Sequence, residues 1–158
     1  MAEINEVLSG IVEQDSIVVP RHALVLFYEG VLKVAGFGLG GMLVMAGKKA
    51  GLTLAEQFRK ELGRDITTEE AVTVMSKLFE LTKTGSDLQI SVEGNQIKLS
   101  MKNSFLAKDL SNKKPVCKPI SGFIMGFFGS ITGKNVKVSE THCMAQGEQE
   151  CLFEGKIS

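Results

Sequence analysis

All three cysteines of the chain fall in its last third, Cys117, Cys143 and Cys151, at separations of 26 and 8 residues. That clustering limits what the chain can fold into more than any other feature. The stretch from Lys137 to Phe153 reads as strand, turn, strand, with Gly147 supplying permissive backbone in the loop. Folded symmetrically about Gly147, Cys143 lies opposite Cys151. Directly opposed residues of an antiparallel pair have Cβ atoms about 4.5–5.5 Å apart, so two sulfurs point together to one side of the ribbon. Cys117 comes just before an apolar helical stretch, Pro119 to Thr132, whose first turn can deliver it to the same spot.

A close cysteine pair of this kind is a pair of buried thiols, a cross-strand disulfide or half of a metal site. The odd cysteine count, an N-terminus that reads as lacking a secretory signal, and the hydrogen-bonding residues around the turn favour the metal. In a cytosolic chain close cysteines more often bind metal or react than form structural disulfides. Zinc accepts thiolate, imidazole and carboxylate in one tetrahedral set, and Glu140 and His142 are both near enough to be the fourth donor. Strand parity puts Glu140 and Cys143 on opposite faces, so Glu140 joins only if a bulge or kink lies between them. His142 has the same parity problem. On the residues alone the fourth position stays open among Glu140, His142 and water.

The runs Pro115-Val116-Cys117, Gly122-Phe123-Ile124-Met125-Gly126, Thr132 to Val138, Glu140-Thr141-His142-Cys143, Gly147 and Cys151-Leu152-Phe153 resemble the 4-vinyl-reductase domain family. That family includes a bacteriochlorophyll-biosynthesis protein and the aromatic-sensing domains of bacterial transcription activators. It is distantly akin to vesicle-tethering TRAPP subunits and haem-NO-binding domains. In the aromatic sensors three cysteines and a glutamate hold zinc, the glutamate three residues before the middle cysteine. The resemblance therefore implies Cys117, Glu140, Cys143 and Cys151 as the metal set, with Glu140 rather than His142 as fourth ligand. It covers the C-terminal third sharply and the rest more loosely.

At 158 residues the chain fits one domain, burying about 70% of the surface its unfolded form exposes. Lysine plus arginine equal aspartate plus glutamate at 18 each, so no basic excess argues for nucleic acid or an acidic membrane. With 44% hydrophobic residues, 7 methionines and 9 phenylalanines, there is more soft apolar surface than a minimal core requires, of the kind that adapts to ligands.

Residues Met1 to Gln14 offer at most a short strand or an N-terminal docking arm, and Ser16 to Arg21 a short β-prone run stopped by Pro20. Leu24, Phe27, Tyr28, Val31, Leu32 and Ala35 recur at helical spacing, with Glu29 and Lys33 paired on the other side. Gly36-Phe37-Gly38-Leu39-Gly40-Gly41 matches GxGxxG literally, but a dinucleotide loop needs a strand before it, and here helix precedes. It reads as a helix–helix junction. Met42 to Leu62 reads as the next helix, with Leu43, Ala46, Ala50, Leu54 and Phe58 on one face and Gly51 weakening it. The uncharged stretch from Val34 to Gly47, 14 residues, is too short to span a bilayer. Gly63 ends that helix, Thr67 and Glu70 form a capping box, and Ala71, Val74, Met75, Leu78 and Leu81 mark the next buried stripe. Leu88 to Val92 and Ile97 to Met101 alternate about Gly94-Asn95, a strong hairpin signal. Asn103 to Lys114 is a polar loop. In the last helix Phe123, Phe127 and Ile131 share one stripe, and Gly122, Gly126 and Gly129 make a smooth one that admits another helix or a flat ligand.

These elements predict an α+β (α/β) fold: an antiparallel sheet of about four strands covered by helices, which the resemblance places with TRAPP and haem-NO-binding domains. Three functions follow. The first is a zinc-containing, sensor-type binding domain with an apolar pocket for a small hydrophobic molecule, its candidate walls Phe27, Phe37, Met42, Met75, Phe79, Phe123 and Phe127. The second, implied by the family's name, is an enzyme or accessory protein that reduces a tetrapyrrole vinyl group. The third is a dimerising scaffold like the vesicle-tethering relatives. Against the enzyme stand two histidines, one tyrosine and no placed nucleotide loop, since reduction needs a cofactor to carry it. A zinc with four protein donors also reads as structural. The phenol-anchoring histidine and tryptophan of the aromatic sensors have no match here, as the chain has no tryptophan, which favours a greasier ligand than phenol. Homodimerisation is implied by resemblance only. The expected setting is cytoplasmic, with no membrane span and no nucleic-acid partner.

Overall fold

The computed structural model describes residues 2–34 and 39–158. The alternation at residues 88–101 folds as expected into a hairpin of β1 (Ser86–Glu93) and β2 (Gln96–Lys102), in which Val92 faces Ile97. Gly94, at φ +59°, makes the turn. The free edge of β2 pairs with β4 (Cys151–Ile157), and β4 with β3 (Val136–His142). The sheet order is therefore β1-β2-β4-β3, every neighbour antiparallel. Ile97, Leu99, Met101 and Phe153 turn to the core, while Lys98 and Glu154 stay outside, the one-sided burial typical of an antiparallel sheet.

Five helices accompany the sheet: α1 (Ala2–Asp15), α2 (Arg21–Val34), α3 (Leu39–Leu62), α4 (Thr68–Leu81) and α5 (Lys118–Thr132). Gly63, at φ +74°, follows α3, and the Thr67–Glu70 capping box opens α4 as its sequence requires. Glu29 and Lys33 pair at 2.8 Å on α2. The residues before Leu39 that are described are helical, not strand, so the Gly36–Gly41 match lacks the strand a nucleotide loop needs; Gly36, Phe37 and Gly38 themselves lie outside the described residues.

α3 and α5 meet backbone to backbone. A Cβ on Gly47 would lie 2.0 Å from the Pro119 carbonyl oxygen and one on Gly51 2.1 Å from that of Phe123. Reciprocally, a Cβ on Gly122 would lie 2.1 Å from the Val44 oxygen and one on Gly126 1.9 Å from that of Lys48. Two glycines per helix, four residues apart, thus make one contact. This corrects the expected face of α3. Its buried side runs through Gly47, Gly51, Ala55, Phe58 and Leu62, while Ala46 and Ala50 are exposed. Apolar periodicity does not count glycine, so it placed the stripe one residue off and took Gly51 for a weakness.

Three further expectations are overturned. Residues 2–15 form neither strand nor loose arm but a helix that buries Ile4, Leu8 and Ile11, at the i, i+4, i+7 spacing of one helical face. Residues 16–20 form no strand: no neighbouring strand offers them a ladder, and Ile17 and Val18 are exposed. On α2 only Val25 and Tyr28 are buried, and Phe27 faces outward. The loop after β2 is also less polar in place than in sequence, since Ser104, Leu106 and Ala107 are buried.

Candidate metal centre and adjoining cavity

β3 and β4 pair with Glu140 opposite Phe153 and His142 opposite Leu152, so Thr141 is an extra residue on β3. That bulge removes the parity problem. Glu140 and Cys143 are both buried, whereas the intervening Thr141 and His142 are exposed. Cys143 follows β3 and enters a single 3-10 turn, Met144–Gln146, closed by Gly147 at φ +91°. Cys151 opens β4, and Cys117 is the residue before α5. The metal-ligating atoms of Cys117, Glu140, Cys143 and Cys151 all lie within 4.8 Å of one another. All three cysteines are free thiols.

Polar contacts hold this group. The Cys117 backbone N–H donates to Glu140 Oε2 at 2.8 Å, and the Met144 N–H to Cys151 Sγ at 3.4 Å. Ser104 Oγ lies 3.4 Å from Cys117 Sγ, and the sulfurs of Cys117 and Cys151 are 3.8 Å apart. The Tyr28 hydroxyl donates to the Val116 carbonyl, which ties α2 to the residue before Cys117. His142 stands apart, its Nδ1 3.3 Å from Thr141 Oγ1.

Four acidic groups share this buried site, and no lysine or arginine among the described residues pairs with them. Burial, reinforced by the adjacent Cys143, pushes the Glu140 carboxyl up to about 8. Hydrogen bonds from the thiols of Cys117 and Cys151 hold Cys143 below the ordinary thiol range and, in return, raise Cys117. Burial and the nearby negative groups also raise Tyr28. The second carboxylate oxygen, Glu140 Oε1, is buried with no hydrogen-bond partner. An unsatisfied buried oxygen is costly, and a cation would both bond it and balance the thiolates. Three sulfurs and one such oxygen fit a zinc-type donor set.

Beside the cluster, between α1, α3, α4 and α5, lies an apolar cavity of about 420 Å³. Of the seven residues expected to form a ligand pocket, Phe79 and Phe123 line it, their rings 5.9 Å apart. Met75 and Phe127 are instead fully buried core residues, and Phe27 and Met42 are 70% and 67% exposed. Phe37 lies outside the described residues. Walls that the sequence reading missed are Ile11 and Val12 of α1, Phe105 of the loop, and Pro119 and Ile120. The spacing of Ile4, Leu8 and Ile11 was the available signal for α1; nothing local marks Phe105.

Fold and cluster together define a helix-covered antiparallel-sheet domain with a buried three-cysteine, one-glutamate site. Residues 97–157, from the start of β2 to the end of β4, match the model of the 4-vinyl-reductase domain, so the C-terminal part of the chain, which holds all four cluster residues, belongs to that family. Over 59 residues the chain is 36% identical to an uncharacterized protein of Methanocaldococcus jannaschii, covering 37% of this chain and 33% of that one. It thus spans about a third of that curated relative. Three solved structures share the fold. A vinyl-4-reductase family protein of M. jannaschii aligns with a TM-score of 0.64 at 22% identity, covering 99% of this chain and 94% of that one. The phenol-responsive sensory domain of the transcription activator PoxR, solved with phenol, gives 0.69 at 16%, covering 99% and 91%. A trafficking protein particle complex subunit 3 from Naegleria fowleri, covalently bound to palmitic acid, gives 0.68 at 13%, covering 87% and 95%.

Proposed function

We propose that this protein is a small-molecule-binding domain of the sensor type, in which zinc on Cys117, Glu140, Cys143 and Cys151 braces an apolar ligand cavity. The observation that carries the reading is the sharing of segments between the two sites. Pro119 and Ile120 line the cavity two and three residues after Cys117, and Phe105 lines it one residue after Ser104 touches the Cys117 sulfur. Four protein donors leave a tetrahedral metal no open position, so the ion would supply charge balance and rigidity rather than a reacting site. Thiolate ligation of this kind belongs in a reducing compartment such as the cytoplasm. The relatives solved with phenol and with palmitic acid support a ligand-binding role for the fold.

The test is metal content per chain on protein purified without a histidine tag, together with native mass spectrometry for a co-purified apolar molecule. About one zinc per chain and a hydrophobic adduct are expected; a metal-free, empty and stable protein would overturn the reading. A second reading, self-association as a homodimer, is favoured by the apolar residues exposed on α2 and α3, among them Leu26, Phe27, Met42 and Met45. Sedimentation at two protein concentrations tests it, a strict monomer being the contrary result.

A further inference from the structure

The apolar cavity adjoins a second, of about 540 Å³, and the two share Val12, Ser16, Thr82, Thr84 and Phe105 as walls. Their chemistry differs. The only charged residue lining the first is Asp15, whose carboxylate accepts from Gln57 Nε2 at 2.8 Å. The charged residues lining the second are both cations, Arg21 and Lys83. Arg21 gives Nη1 to Asp109, but its Nη2 is buried and bonded to nothing among the described residues. Lys83 has no ion pair among them either. A buried guanidinium nitrogen without an acceptor is costly in the absence of a ligand, and a carboxylate is the acceptor that guanidinium chemistry matches best.

We propose that the joined cavities take a single-chain amphiphile with an anionic head, a long-chain fatty carboxylate. Its tail occupies the apolar cavity and its carboxylate meets Arg21 and Lys83. Ile17, Val18 and Val19, which line the second cavity and otherwise leave apolar surface in water, cover the chain near its head. The ligand is held without a covalent bond to sulfur, because all three cysteines of the chain belong to the metal cluster. This proposal rests on the reading of the apolar cavity as a ligand site and adds the chemistry of the head group to it.

The experiment compares palmitate with hexadecanol, equal in tail length but uncharged, by calorimetry on delipidated full-length protein below micelle-forming concentrations. Palmitate is expected to bind about tenfold or more tightly than hexadecanol, the worth of a hydrogen bond to a charged group. Arg21→Gln removes that advantage and leaves hexadecanol binding unchanged. Asp109→Asn, which breaks the same ion pair but keeps the guanidinium, retains palmitate binding and so controls for damage to the fold. Equal binding of the two probes by the unaltered protein, or palmitate binding unmoved in both Arg21→Gln and Lys83→Gln, overturns the anionic-head proposal and leaves the apolar cavity reading standing. Failure of both probes to bind overturns the cavity reading as well.

Discussion

The Glu140 carboxylate accepts the backbone N–H of Cys117 at 2.8 Å, so one side chain joins the bulged strand β3 to the start of α5. Its other oxygen is buried without a partner, whereas His142 two residues on is exposed. The two candidates for fourth metal ligand therefore separate cleanly by mutation. Glu140→Ala is expected to lower zinc affinity by at least tenfold, since it removes a ligand and strands the Cys117 N–H. His142→Ala should leave zinc content and melting temperature within error. Competition with a chromogenic chelator measures both; zinc loss in the histidine variant would reverse the assignment.

How this site was legible depends on where its information resides. The spacing of Cys143 and Cys151 about Gly147 is local, and the register of β3 on β4 is the one that spacing implies. The need for a bulge before Cys143 also followed from strand parity, but which residue bulges is settled by what Glu140 meets on another element. The cavity was less legible because its walls come from four helices and a loop. Phenylalanine at helical spacing marks core and pocket alike: Phe123 lines the cavity, and Phe127, stacked on it with centroids 6.3 Å apart, is buried core. The α3 face was misread because its contact with α5 is made by glycines, which carry no hydrophobic signal.

The glycines of α5 provide a stability test with opposite signs. At Gly126 a Cβ would lie 1.9 Å from the Lys48 oxygen and 2.9 Å from the Leu52 nitrogen, both backbone atoms of α3. Alanine there gains about 1 kcal/mol of helix propensity but must push two helices apart, and overpacking of this kind costs about 1–3 kcal/mol and occasionally more. Gly126→Ala is expected to be destabilising by urea denaturation. At Gly129 the nearest such atom, the Lys134 oxygen, is 3.4 Å away, so Gly129→Ala should be neutral or stabilising by up to about 1 kcal/mol. Equal effects at the two positions would show that the helix contact is looser than the geometry requires.

Acid sensitivity at the start of α4 follows from Glu70. Two hydrogen bonds from Arg64, at 2.7 and 3.1 Å, and the Thr67 backbone N–H hold its carboxyl down from 4.5 to about 2. A depressed acid stabilises the folded state fully above its unfolded value, and that contribution is lost as pH falls from about 4.5 towards 2. Glu70→Gln can keep the capping box, which accepts either residue, but has no proton to take up. Its stability should therefore fall less than that of the unaltered protein across this window, as read by thermal melts at a series of pH values. Parallel losses in the two proteins would show that Glu70 is not the group responsible.

Metal cluster and cavity are joined through Cys117, which stands directly before the α5 turn whose Pro119 and Ile120 line the cavity, and through Ser104, which lies at its sulfur and is followed by the cavity residue Phe105. Withdrawing the ion leaves like-charged groups and an unpaired carboxylate oxygen at the point where both segments are anchored, so the walls at Phe105 and Ile120 lose a fixed position. A ligand that needs those walls binds the metal-free form more weakly, and by linkage it must slow or oppose metal release by the same factor, commonly about 5- to 150-fold for coupled sites. Titrating hexadecanol into zinc-loaded and chelator-treated protein should show the weakening, and the chelator concentration for half-removal of zinc should rise when hexadecanol is present. The two ratios must agree. Identical hexadecanol affinities with and without zinc would mean that the cluster holds the fold without communicating with the cavity.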